Sequence, residues 1–257
     1  MSCDTYAPLG RAVCPFMLIR NRSFRAPMKI VLFYAMRKEI ASLLSDERIE
    51  CAESAAGVNF YRFSENLIAC AGGIGKVNAA MATQLCIDRY APDLIINVGV
   101  AGCFVNAPIG TILLADKFIQ HDVDTTGCGD PPAYVSTVNR IHFPVSYLDR
   151  AKRALDKIAV PYLCGLGATG DWFAKRSPRS DAIRDDFNPL FVEMEGGAIA
   201  QVCLRNDTPF LALKSVSDCI YGDDDYDFNF DQAMASLNGI VVKFIEQFTN
   251  DDSSTNF

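Results

Sequence analysis

The stretch "NLIACAGGIGKVNAAMATQLCIDRYAPDLIINVGVAG", residues 66–102, decides the fold. Its first part, "NLIACAGG" (66–73), is a short apolar run that ends in glycines. Such a run is too short for a buried helix and reads as a strand. "GKVNAAMATQLCIDRY" (75–90) then changes period, and Val77, Ala80, Met81, Leu85 and Ile87 fall on a broad apolar helical face. "PDLIINVGVAG" (92–102) returns to an unbroken apolar run ending in glycine. Strand, helix, strand at this spacing is the unit of a parallel sheet covered by helices.

The same alternation extends in both directions. "KIVLFYA" (29–35) is a strand and "RKEIASLLSDE" (37–47) has helical spacing at Ile40, Leu43 and Leu44. "GTILLAD" (110–116) is a strand, followed by a loop-rich stretch holding Gly127, Gly129, Pro131 and Pro132. "VSYLDRAKRALDKIAV" (145–160) is an amphipathic helix, "YLCGLGATGD" (162–171) a strand, and "SDAIRDDF" (180–187) a short helix with a serine–aspartate start. "PLFVEME" (189–195), "GGAIAQVCLRN" (196–206), "TPFLALKSVSD" (208–218) and "FDQAMASLNGIVVKFIEQF" (230–248) complete the order as strand, helix, strand and closing helix. The expected fold is α/β, one domain in three layers (α/β/α) around a central mixed, mostly parallel twisted sheet. There is no internal repeat and no linker after residue 28.

The chain has 257 residues and a formal charge of −7. That charge argues against a nucleic-acid partner, which calls for a basic face, and against docking on anionic membrane. Part of the acid is local: "YGDDDYDF" (221–228) holds four aspartates and reads as a solvated loop. The ten cysteines are scattered, with no C-x-x-C and no Cys/His cluster, so no metal site is expected. Several sit in apolar runs, where a free thiol behaves as a small hydrophobe. A reducing compartment, the cytoplasm, follows. Residues 1–27 carry four arginines, no lysine and one acid, without strand or helix rhythm. They are read as a disordered extension, or a segment upstream of the true start at Met28, ahead of an organelle-targeting peptide. The domain is expected over residues 28–250, and residues 251–257 form a tail.

Ligands in such folds gather beyond the carboxyl ends of the strands. Glycines and acids recur there: Glu39 after the first strand, Gly72, Gly73 and Gly75 after the second, and Gly99 and Gly102 on the third. Gly170 and Asp171, Met194 and Glu195, and Ser217 and Asp218 close later strands. Gly72-Gly73-Ile74-Gly75-Lys76 fits neither G-x-G-x-x-G nor the P-loop, so it reads as a tight turn and not as a phosphate cradle. Glu39, Glu195 and Asp218 suit cleavage of a glycosidic bond, where carboxyl groups take separate roles as acid, base and electrostatic stabiliser. Each could instead be a cap or a surface charge. His121 and His142, the two histidines, are assigned structural roles, with His121 in a loop beside the pocket.

Six stretches, in order, carry a family resemblance: "MKIVLFYAMRKEI" (28–40), "GGIGKVNAA" (72–80), "PDLIINVGVAG" (92–102), "GDWF" (170–173), "VEMEGGAIAQVC" (192–203) and "SVSD" (215–218). From Met28 to about Phe248 the chain resembles the methylthioadenosine/S-adenosylhomocysteine nucleosidases of the nucleoside phosphorylase-like superfamily. The resemblance implies hydrolysis of the N-glycosidic bond of a small nucleoside to adenine and a thioribose, with no metal or organic cofactor, by a homodimer. It implies Glu39 as the group that activates water and Asp218 as the acid that protonates adenine N7, oriented by Ser217. Glu195 would hold the ribose hydroxyls, Met194 would pack on the sugar, Phe173 would stack on the base, and the Ala174 backbone would read its edge. Gly99 belongs to the same substrate-binding set, and Glu193 is left a structural role. The chain departs from the family pattern at Val100 and in "HDVDTTGCGDPP", where Cys128 and Asp130 replace the usual aromatics. The 5′ substituent is therefore open. Phosphorolysis is the nearest alternative, because Arg37 and Lys38 flank Glu39, although a carboxylate there would repel phosphate. A catalytically silent nucleoside-binding protein is the other.

Overall fold

The computed structural model describes residues 27–45, 49–222 and 229–251. The chain runs β1 (Ile30–Tyr34), α1 (Arg37–Ile40), β2 (Glu50–Ala55), β3 (Val58–Arg62), β4 (Leu67–Ala71), α2 (Lys76–Tyr90), β5 (Leu94–Cys103) and β6 (Ile112–Gln120). It continues β7 (Phe143–Pro144), α3 (Leu148–Lys157), β8 (Tyr162–Thr169), α4 (Pro178–Phe187), β9 (Phe191–Glu193), α5 (Gly196–Arg205), β10 (Phe210–Cys219) and α6 (Phe230–Asn250). The acidic run at 223–228, nearly all of the N-terminal extension and the tail after Asp251 lie outside the described residues.

One mixed sheet forms the middle layer. β4, β1, β5 and β10 are neighbours and all parallel. β10 pairs antiparallel with β6, β6 parallel with β8, and β8 parallel with β9. β9 then returns antiparallel to β5 at Gly102 and Cys103, so five strands close into a ring at this end. At the other end β4, β3 and β2 make an antiparallel meander. Along β1 the side chains alternate between two cores. Val31 and Phe33 join the core under α2 and α5, while Ile30, Leu32 and Tyr34 join the one under α3 and α6. Burial on both faces is why the parallel strands read as continuous apolar runs. Each such side chain contributes roughly 1.5–3 kcal/mol by leaving water.

Four sequence expectations change in detail. The apolar face expected on α2 is only partly the buried one: Ala80, Leu85 and Ile87 pack half-buried against the core. The helix turns Ala79, Ala82, Thr83 and Cys86 inward and leaves Val77 79% and Met81 39% exposed. The reason is close approach: a Cβ on Gly72 would come within 2.3 Å of the Phe33 ring and 2.9 Å of Ala82. Small side chains fill the closest part of that contact. The helix expected over 37–47 stops after one turn, with a 3-10 turn at Leu43–Ser45. Asn238 of α6 donates to the Glu39 carbonyl at 2.7 Å and to Ser42 Oγ at 2.8 Å, taking up a carbonyl that a longer helix would have used. α4 starts earlier than read, with Ser177 and Ser180 in a reciprocal cap and Pro178 opening the helix. Strands β2, β3 and β7 have no clear period in the sequence and are added by the structure. At the far end of α6, Asp251 accepts from Arg153 at 2.8 Å and Lys157 at 2.6 Å, tying the last described residue to α3.

Candidate active site

The carboxyl ends of β1, β5, β8, β9 and β10 meet around one cavity of about 270 Å³. Its wall includes Glu39, Glu195, Met194, Phe173, Ala174, Ser217 and Asp218, so residues scattered over 180 positions of chain are brought together. Gly99 stands behind the cavity wall. A Cβ there would lie 3.0 Å from Glu39 Oε1 and 3.6 Å from Lys214 Nζ, so the lack of a side chain leaves room for both. Phe173 is half exposed at the mouth and Ala174 is buried beside it. Val100 lines the cavity too, but Cys128 and Asp130 do not.

Asp218 sits near the end of β10, where Ser217 Oγ lies 2.7 Å from its Oδ1 and 3.2 Å from the Ala101 carbonyl. Burial pushes its carboxyl above the ordinary aspartate range, partly opposed by the Ser217 hydroxyl. Glu39 is held by the Met36 N–H, which donates to its Oε2 at 2.8 Å. Burial raises its pKa, while Lys214 and the N–H groups of Met36, Ala35 and Val100 pull the other way. Glu195 accepts from the Gly75 N–H at 2.9 Å. Burial first, and Glu193 second, push it up to about 7.

Glu193 also borders the cavity, but its carboxylate is taken up by the protein's own donors. Its carboxylate accepts from the N–H groups of Glu195 (3.0 Å) and Gly196 (2.8 Å) at the start of α5, and from the Thr169 hydroxyl. It also pairs with Lys214 Nζ at 3.1 Å. The opening of a helix, rich in unpaired N–H groups, is where a carboxylate is stabilised.

Lys214 is the main feature that sequence spacing does not reveal. It is 2% exposed in the middle of β10. Burial alone would lower its pKa, but Glu193, Glu195 and Glu39 outweigh that and raise it. One ammonium thus faces three carboxylates, and at low dielectric they cannot all ionise without cost. A lysine inside the apolar run "FLALKSV" was the available signal. The Gly75 N–H is also missed, because a backbone donor has no signature in residue type. His121 follows β6 as expected. It packs edge-on to Trp172 with ring centroids 6.5 Å apart, and its Nε2 is buried without a hydrogen-bond partner among the described residues.

The raised proton affinity of Glu195 has a measurable cost in stability. An acid whose pKa is higher folded than unfolded stabilises the fold below its unfolded pKa and loses that contribution as pH rises through the folded value. Here the window runs from the ordinary 4.5 to about 7. At about 1.4 kcal/mol per pH unit the loss is of order 3 kcal/mol. Glu195→Gln mimics the protonated acid. In urea titrations it is expected to match the wild type near pH 4.5 and to exceed it above pH 7. A gap that does not change with pH would show that Glu195 titrates normally.

This fold and cavity define a member of the phosphorylase superfamily, whose sequence model matches residues 29–246. A 5′-methylthioadenosine/S-adenosylhomocysteine nucleosidase of Shewanella putrefaciens is 35% identical over 209 residues, covering 79% of this chain and 90% of that protein. The Bacillus thuringiensis nucleosidase of the same name is 32% identical, over 86% of this chain and 99% of its own length. The crystal structure of the Streptococcus pyogenes S-adenosylhomocysteine nucleosidase with 5-methylthiotubericidin superposes with a TM-score of 0.75 at 28% identity, over 87% of this chain and 98% of that one. The Colwellia psychrerythraea enzyme in complex with adenine gives 0.76 at 28% identity, over 88% and 96%. The chain belongs to the 5′-methylthioadenosine/S-adenosylhomocysteine nucleosidase family.

Proposed function

We propose that this protein hydrolyses the N-glycosidic bond of 5′-methylthioadenosine or S-adenosylhomocysteine, releasing adenine and the 5′-thioribose. The carrying observation is the set of three buried acids on one cavity wall, each seated by different partners. Burial favours the protonated form of Asp218, which gives its proton to adenine N7 as the C1′–N9 bond breaks and its electrons pass to the base. Glu195 faces the ribose hydroxyls and offsets positive charge on the sugar ring. Glu39 takes a proton from the water whose oxygen bonds to C1′. Met194 packs on the sugar, Phe173 stacks on the base at the mouth, and the Ala174 backbone meets its edge. Ser217 can turn its hydroxyl toward Asp218 or the Ala101 carbonyl, so it suits either protonation state of the acid.

Water is favoured over phosphate by charge. Four acids line the cavity, Glu39, Glu193, Glu195 and Asp218. The one cation on the described wall is Lys38, whose Nζ lies 4.0 Å over the Phe230 ring, and Arg37 is not on the wall. With Asp218 protonated and Glu193 paired to Lys214, an incoming phosphate dianion would still meet the Glu39 carboxylate. The test is adenine release from both nucleosides with and without phosphate. Release at equal rates in both, with free thioribose, supports hydrolysis. Release only with phosphate, giving the sugar 1-phosphate, moves the protein to the phosphorylases, and no release in either leaves a binding protein.

We read residues 28–250 as the catalytic unit and the working form as a homodimer. Ile74, Val77, Met81 and Val105 are exposed apolar side chains, and Ile74 also lines the cavity. A second copy would remove them from water. Every cysteine whose side chain is described is a free thiol, which supports a cytoplasmic location. Among the described residues no helix is long and apolar enough to cross a membrane.

A further inference from the structure

We propose that the Lys76–Asp122 ion pair is a positioning device that holds the sugar-gripping and base-gripping walls of the cavity in register; this rests on reading the cavity as a nucleoside site. Lys76 Nζ donates to Asp122 Oδ1 at 2.6 Å. The other oxygen of Asp122 accepts from the Asp171 N–H at 2.9 Å. Asp171 Oδ1 in turn accepts from the Lys76 N–H at 2.7 Å. Lys76 at the start of α2 and Asp122 and Asp171 in the loops after β6 and β8 therefore form a closed ring.

The neighbours of that ring carry the walls. Gly75 precedes Lys76, and its N–H is the donor to Glu195. Trp172, Phe173 and Ala174 follow Asp171 and line the cavity. The turn and the aspartate are pressed together as well: a Cβ on Gly75, whose φ is +90°, would come within 2.8 Å of Asp171 Oδ1. Moving one moves the other. The Lys76 and Asp122 side chains are only 18% and 16% exposed, so the pair is shielded from water more than an ordinary surface bridge. None of the ring's hydrogen bonds reaches Glu39 or Asp218. Those are seated independently, Glu39 on the Met36 N–H and Asp218 against Ser217. The ring thus governs how substrate is gripped and leaves the proton-transfer groups in place.

A difference between binding and chemistry follows. Lys76→Met and Asp122→Asn are expected to raise KM for methylthioadenosine about tenfold or more and to lower kcat by a smaller factor, because Glu195 also faces the charge that develops on the sugar. Lys76→Arg, which keeps the charge, is expected to restore most of the KM. Asp122→Asn keeps the side-chain shape and serves if Lys76→Met does not fold. Trp172 is the single tryptophan of the chain and sits next to the ring, so it reports on the ring without any turnover. Its fluorescence is expected to become easier to quench with acrylamide in both variants. A KM within twofold of the wild type in both, a fall in kcat with KM unchanged, or unaltered Trp172 quenching would overturn the proposal. Absence of adenine release from the wild type itself overturns the nucleosidase reading, and Trp172 quenching then still decides whether the ring sets the loop.

Discussion

Asp218→Asn is expected to lower kcat for adenine release by about 10²–10⁴-fold, the usual contribution of a positioned general acid. Asparagine has the same shape, can still accept from the Ser217 hydroxyl, and has no proton to give to the base. The fold should be unharmed, because burial already disfavours the charged form of this acid. The variant should therefore bind substrate and melt at or above the wild-type temperature while releasing almost no adenine. The pH profile gives a second check. Asp218 acts only when protonated, so the wild type should lose activity as pH rises through its raised pKa. Retention of more than a tenth of wild-type kcat in Asp218→Asn would remove this residue from the acid role.

Glu39→Gln carries the next largest expected effect. Without a carboxylate the attacking water has no acceptor for its proton, and kcat should fall by about 10²-fold or more. The expected pH dependence is the opposite of that for Asp218. Glu39 works when ionised, and burial raises its pKa, so activity should fall on the acid side as pH drops through that value. Together the two residues, one needed protonated and the other ionised, predict a bell-shaped profile. Glu39→Gln should erase the acid limb and keep the alkaline one in whatever activity remains. An acid limb that survives unchanged would assign it to another group, Glu195 being the first to test.

The parallel strands were readable because both of their faces are buried, which makes "KIVLFYA" and "PDLIINVGVAG" uninterrupted. The meander of β2 and β3 was not. "ECAESA" mixes charge with small residues at the sheet's edge, where one side makes no ladder and periodicity is weak. On α2 the periodicity itself misled. Val77 and Met81 supplied apolar weight but stay exposed, while the closest contact under the helix is made by Ala79, Ala82, Thr83 and Cys86. Acids at strand ends were visible by residue type and position, which is how Glu39, Glu195 and Asp218 could be named. Their supports were not. Gly75 acts through its backbone, Lys214 shows only as one polar letter in an apolar run, and Lys76, Asp122 and Asp171 meet only once the chain has folded.

The seat of Glu39 has a consequence for how the protein is made. Its carbonyl is held by Asn238, whose own side-chain oxygen accepts from Tyr34. The first strand and the last helix thus share one hydrogen-bonded joint, about 200 positions apart in the chain. Synthesis proceeds from the N-terminus, and contacts this distant close late. Ribosome-bound chains that lack α6 would carry Glu39 on an unsupported turn and would also expose the core face that α6 covers. The joint that supports Glu39 is complete only once α6 has emerged and docked.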